Sequence, residues 1–110
     1  METTGTKPTK LWQILVPCVS NEGKPFRTKH HKEWDRQVRM VTGGLTIFPP
    51  VKGQWIDDQT GNLYIERMIP VNIVANDHQM KEIAYRTAKH YNQLAVLYFL
   101  VSEQAIIFRP

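Results

Sequence analysis

The segment LYIERMIPVNIVANDHQMKEIAYRTAKHY, residues 63 to 91, changes its hydrophobic period at one point, and that change limits the folds open to the chain. Up to Ala75 the pattern alternates, as in a strand with two different faces. Leu63, Ile65, Ile69, Val71 and Ile73 fall on one side, with Tyr64, Glu66, Met68, Pro70, Asn72 and Val74 on the other. From Asn76 onward the spacing is helical: Met80, Ile83, Ala84, Thr87, Ala88 and Tyr91 form one stripe, with Lys81, Glu82, Arg86 and Lys89 outside it. Asn76 followed by Gln79 reads as a capping box, so a helix runs from there to about Asn92. A long strand feeds directly into an amphipathic helix that must fold back onto it.

The rest of the chain repeats the theme. LWQILVPCVS is a strand, followed by the turn-forming loop NEGKPFRT. Thr28 is the expected N-cap of a first helix, whose apolar stripe is Trp34, Val38 and Val41. Gly43 and Gly44 stop it, one of them in a left-handed conformation. LTIFPPVKGQWI is a second strand, and DDQTGN turns it back with Gly61 at a positive φ. The closing AVLYFLVSEQAIIF is either one bent strand or a hairpin turning near Ser102 to Gln104.

The order β-α-β-β-α-β predicts a ferredoxin-like α+β domain. Right-handed crossovers put two helices on one face of a four-stranded antiparallel sheet, with a possible extra C-terminal strand. The first and third strands are then central and the second and fourth are edges. Pro49 and Pro50 fit an edge strand, whereas Pro70 in a central strand implies a bulge or an early end to the pairing. Residues 1–9, METTGTKPT, are expected as a flexible tail and 10–110 as the single domain.

In the first strand Trp12, Ile14, Val16 and Cys18 take the helix side, leaving Leu11, Gln13, Leu15, Pro17 and Val19 on the open face. That second set is too apolar for a wet surface, which points to homo-oligomerisation, as a dimer or larger, or to a small-molecule cavity. The run LWQILVPC after Lys7 and Lys10 is shorter than a signal core and has Pro17 directly before Cys18, so a cytoplasmic protein is expected. A lone cysteine fits a reducing compartment. No window approaches a membrane-spanning length.

The formal charge is +4, and it is concentrated. Lys24, Arg27, Lys29, Lys32, Arg36 and Arg39 face only Glu33 and Asp35 over residues 24 to 39. Such a segment attracts phosphates or acidic partners, or is simply the solvated face of a helix. RNA-binding ferredoxin-like domains carry aromatics on the open sheet face. Here the basic segment lies on the helix side instead, which argues against nucleic acid.

Candidate site residues cluster on the second hairpin. Glu66, between Tyr64 and Met68 on the open face, is the one carboxylate placed to act as an acid or base; its alternative is a cross-strand pair with Lys52. Trp55 stacks on a ligand or anchors packing across the hairpin. Arg67 points to the helix side, towards a helix carboxylate. His30 and His31 diverge on a helix, one of them partly buried, His78 sits in a first turn and His90 projects to solvent; no metal-site spacing is present. Cys18 reads as a structural thiol, and the chain has no phosphate-cradling glycine loop, serine elbow or cofactor motif.

The central pattern Gly44-x-Thr46, Gly53-x-Trp55, Gly61 and Glu66, followed by Tyr91 and Gln93, resembles a group of small uncharacterised bacterial ferredoxin-like proteins. The likeness covers about half the chain, implies the same fold and carries no activity with it. Some members of the group resemble secreted lipoproteins, and this chain is expected to depart from them, because its start reads as no convincing export signal. The sequence therefore reads as a small binding or interaction module. A dimeric α+β-barrel-type enzyme using Glu66, or a phosphate or nucleic-acid binder using residues 24–39, are the alternatives.

Overall fold

In a computed structural model the residues described are 6–110, with side chains from Thr9 onward. Seven elements follow in order: β1 (Thr6–Pro17), α1 (Thr28–Thr42), β2 (Thr46–Ile47), β3 (Val51–Ile56), β4 (Leu63–Ala75), α2 (Asp77–His90) and β5 (Tyr98–Phe108). β4 and β1 are the central strands of one antiparallel sheet, β5 is one edge, and β2 and β3 share the other. This is the ferredoxin-like arrangement, with the expected second strand broken in two.

The prolines explain the break. Ile47 pairs with Val71 and Val51 with Met68, so four steps along the edge oppose three along β4. The extra residue is a bulge, and Pro49 and Pro50 occupy it without forfeiting ladder bonds. Pro70 fits the same feature. Its carbonyl accepts from the Phe48 amide at 3.0 Å, so its ring nitrogen also faces the bulge, while Leu15 opposite turns its own amide to Leu97 of the β5 side. Three missing donors coincide at one irregularity.

β5 is a single strand. Between Leu11 and Thr9 the register slips, since Leu11 pairs with Ser102 and Thr9 with Ala105. The segment Ser102 to Gln104, which reads as a possible turn, is thus a bulge, and the Ser102 hydroxyl satisfies it by donating to the Gln104 carbonyl and accepting its amide. β1 starts at Thr6, so residues 6–9 are paired strand where a tail was expected; residues 1–5 lie outside the described ones.

The core lies between the helices and the central strands. Ile14, Val16, Val71, Ile73 and Ala75 from the sheet meet Trp34 and Val38 of α1 and Met80, Ile83 and Tyr91 of and after α2. Each such side chain contributes about 1.5–3 kcal/mol by burial. The Trp34 indole donates to the Thr87 hydroxyl at 2.9 Å, which donates in turn to the Ile83 carbonyl, so the polar atoms at the helix interface are satisfied.

The helix ends are set locally. Asn76 and Gln79 form the reciprocal capping box, and Gly43 closes α1 at φ 93°, where a side chain would be strained. The start of α1 differs from expectation: Arg27, with no side-chain cap, is the N-cap, and Thr28 is already helical.

Beyond this body the sheet continues as two-stranded arms at opposite ends. Leu63 to Glu66 pair only with β3, past the end of β1, and residues 6–9 pair only with β5, past the end of β4. These arms account for the extents of 56 × 31 × 23 Å.

Candidate functional site

The β3–β4 arm carries the residues singled out above. Trp55 opposes Tyr64, and their rings stack with centroids 4.6 Å apart and planes 18° from parallel. On the same face Gly53 opposes Glu66 and Val51 opposes Met68. A side chain at position 53 would approach the Glu66 carbonyl. Lys52 opposes Arg67 instead, and so lies on the other face from Glu66; the Lys52–Glu66 pair does not form. Arg67 makes no ion pair with the described residues either: it is exposed, next to Cys18, whose amide donates to its carbonyl at 3.2 Å. Leu63 and Ile65, on the helix side of the strand, are likewise left uncovered.

At the root of the arm is a pocket of about 250 Å³, lined by Tyr64, Glu66, Arg67 and Met68 of β4, by Pro17, Val19 and Asn21 where β1 ends, and by Gln93 after α2. Its polar wall is built from amides: Asn21 donates to the Asn92 carbonyl at 3.0 Å, and Gln93 donates to the Tyr91 carbonyl at 3.1 Å. The pocket therefore offers an aromatic side chain, a thioether, two amides and the Glu66 carboxylate, which has no ion-pair partner among the described residues. Trp55 reaches it through Tyr64. Asn21 has no local signal that would mark it, because its role depends on a partner 71 residues away. Gln93 is marked only by the resemblance pattern.

The open face continues from the arm across β1 and β4. Leu11, Gln13, Leu15 and Pro17 oppose Val74, Asn72, Pro70 and Met68. Only the Gln13–Asn72 amide pair, at 2.9 Å, interrupts this apolar strip.

The basic residues do not form one patch. Lys29, Lys32, Arg36 and Arg39 recur at helical spacing on the side of α1 away from Trp34 and Val38, and Arg36 is held by Glu33 at 2.6 Å. Lys24 and Arg27 sit in the loop before the helix, at the far end from Arg39.

The histidines are more organised than their spacing indicates. His90, read as solvent-facing, is part-buried and stacks on His30 with centroids 3.9 Å apart. Each donates its Nε2–H to the other's backbone carbonyl, at 2.8 and 2.7 Å. His31 Nδ1 lies 2.6 Å from the Tyr91 hydroxyl. Burial lowers the His31 pKa below the ordinary histidine value, helped by the neighbouring charge of His30 and opposed by Asp35. Burial raises the Cys18 thiol, which Arg67 only partly offsets, so this sulfur is a poor nucleophile. Among the described residues no three histidine, cysteine or carboxylate side chains converge as a metal site, and no helix is long and apolar enough to cross a membrane.

No family model matches the chain, and no curated protein resembles it in sequence. Several solved structures share its fold at low identity. A phage SAM lyase in complex with S-methyl-5′-thioadenosine is 10% identical, with 99% of this chain and 93% of that one covered at a TM-score of 0.64. CutA1 from Oryza sativa is 9% identical, with coverage of 88% and 81% and a TM-score of 0.64. The periplasmic divalent cation tolerance protein CutA from Archaeoglobus fulgidus is 8% identical, covering 86% and 82% at 0.61. At these identities the likeness is one of fold.

Proposed function

We propose that this chain is a small binding module that assembles with copies of itself through the open sheet face and the β3–β4 arm, and that assembly completes the ligand pocket at the root of that arm. The observation that carries the reading is the apolar surface left outside the helix cover. Trp55, Ile56, Leu63, Tyr64 and Ile65 are all exposed on an arm only two strands wide. Such a hairpin is marginal alone in water, and a second chain laid against it would remove that surface from solvent.

The pocket suits a small ligand with a flat ring and a polar or cationic group: the ring against Tyr64, the polar end between Glu66 and the amides of Asn21 and Gln93. A nucleoside thioether such as S-methyl-5′-thioadenosine has that chemistry. It is the ligand held by the phage SAM lyase whose fold spans nearly this whole chain. A second reading, a small enzyme, is favoured by one feature, the unpaired Glu66 carboxylate in the pocket beside Tyr64. There it would serve as an acid or base, or as the counter-charge to a cationic substrate.

Native mass spectrometry of gently purified protein, followed by calorimetric titration with S-methyl-5′-thioadenosine, tests both readings. An oligomer that binds this probe, or that retains another small molecule, is the expected result. Glu66→Gln then separates them: turnover of S-adenosylmethionine that is lost in the variant means an enzyme, while binding without turnover means a module. A monomer with an empty pocket would overturn the proposal.

A further inference from the structure

We propose that a second site, the groove between the 20–27 loop and the start of α1, binds a phosphate monoester carrying a flat apolar group. The groove is about 600 Å³, within the range of small-ligand sites, and shares only Ser20 with the arm pocket. Lys24, Arg27 and Lys29 border it, together with Phe26, His30 and His90.

Charge selects the ligand. None of these three cations has a carboxylate within ion-pairing distance among the described residues. The one acid on the rim, Glu33, is gripped by Arg36 through both of its oxygens, at 3.1 and 2.6 Å. The groove thus keeps uncompensated positive charge, to which a dianion is the matching counterpart.

The scaffold beneath those cations is fixed. The Ser20 amide donates to the Lys24 carbonyl at 2.7 Å, and the Ser20 hydroxyl accepts the Lys24 amide at 3.2 Å. Gly23 closes this tight turn at φ 81°. Val19 bridges to Pro25, and the Phe26 amide donates to the Cys18 carbonyl. On the other wall Phe26, His30 and His90 form one stack, with centroids 5.1 and 3.9 Å apart and planes 11° and 22° from parallel. The stack is held in place because each imidazole donates its Nε2–H to the other residue's backbone carbonyl. The apolar rim of Phe26 and Pro25 accepts the flat part of the ligand.

Phenyl phosphate, inorganic phosphate and phenol, titrated separately into isotopically labelled protein and followed by amide chemical shifts, test the site. Phenyl phosphate should shift the amides of residues 20 to 33 saturably, inorganic phosphate more weakly, and phenol not at all. The double variant Lys24→Ala/Lys29→Ala should weaken phenyl phosphate about tenfold or more, because two charge-assisted contacts are lost. Both lysines are exposed and unpaired, so its thermal midpoint should match the parent. No saturable shift, shifts centred elsewhere, or an unchanged affinity in the double variant would overturn the site.

Discussion

The sheet beneath the helices and the β3–β4 arm are stretches of the same strand, β4, with opposite fates. From Val71 to Ala75 the helix-side residues are almost fully buried; from Leu63 to Ile65 they are more than half exposed. The sequence chemistry is similar in both halves, Leu63 and Ile65 on the arm against Ile69, Val71 and Ile73 in the body, with Arg67 between them. What differs is cover: α1 and α2 end before the arm begins. Under the helices, the described residues leave no buried side-chain nitrogen or oxygen without a partner. On the arm, apolar surface is left with nothing over it. The body is therefore covered on its helix side, while the arm is not.

The comparison breaks if stability is spread evenly, and Trp34 tests that hardest. Its side chain is 2% exposed, at the centre of the helix–sheet interface. Trp34→Ala should cost about 3–5 kcal/mol, a large share of the ~5–15 kcal/mol typical of a domain. Urea unfolding followed by circular dichroism measures it. A cost near zero would mean that the helices add little to the fold, and the distinction between body and arm would fail.

How much of this was readable from the chain depends on the distance over which each feature is set. The capping box at Asn76 and Gln79, the left-handed stop at Gly43 and the turn glycine Gly61 are decided within a few residues, and all three appear as read. The central and edge assignments follow from element order, which is also a property of the chain itself. The failures come from register and long-range packing. Placing Lys52 opposite Glu66 was wrong by one residue, and because strand side chains alternate, one residue moves a side chain to the other face. The stack of His30 on His90 joins residues 60 apart on different helices, and neither carries a local sign of it. The pocket at the root of the arm had a third of its lining visible, in Tyr64, Glu66 and Met68. Its amide wall required knowing where β1 ends.

Trp55 sharpens the comparison from the arm's side. It is about half exposed, and its stack on Tyr64 is worth about 0.5–1.5 kcal/mol beyond buried area. Trp55→Ala should lower the urea-unfolding stability of the body by less than about 1 kcal/mol, since its ring stacks on Tyr64 within the arm and is about half exposed. Self-association, measured by sedimentation equilibrium on the same samples, should weaken at least about tenfold. Equal losses at Trp34 and Trp55 would show that the arm is part of the cooperative core. An unchanged association constant would move the interface off the arm.

The smallest expected effect is a pH dependence confined to the body. His31 is part-buried against Tyr91, whose own hydroxyl burial keeps protonated, so the pair holds best with a neutral imidazole. The His31 pKa is lowered on folding, first by burial and then by the nearby positive charge of His30, while Asp35 opposes them. The unfolded chain then binds more protons than the folded one just below the ordinary histidine value of about 6.5, and stability must rise with pH there. The contribution is complete above that value and is lost as pH falls through the folded pKa. Asp35 works in the opposite direction at lower pH, because burial raises its carboxyl, so the window to examine is about pH 5.5 to 7.5. Thermal midpoints should climb slightly across it. His31→Gln should flatten the climb, whereas Trp55→Ala should leave its slope unchanged. A slope that vanished in the arm variant but survived in His31→Gln would place the titrating group on the arm, and the body would no longer be the separate, fully satisfied unit that its hydrogen bonds describe.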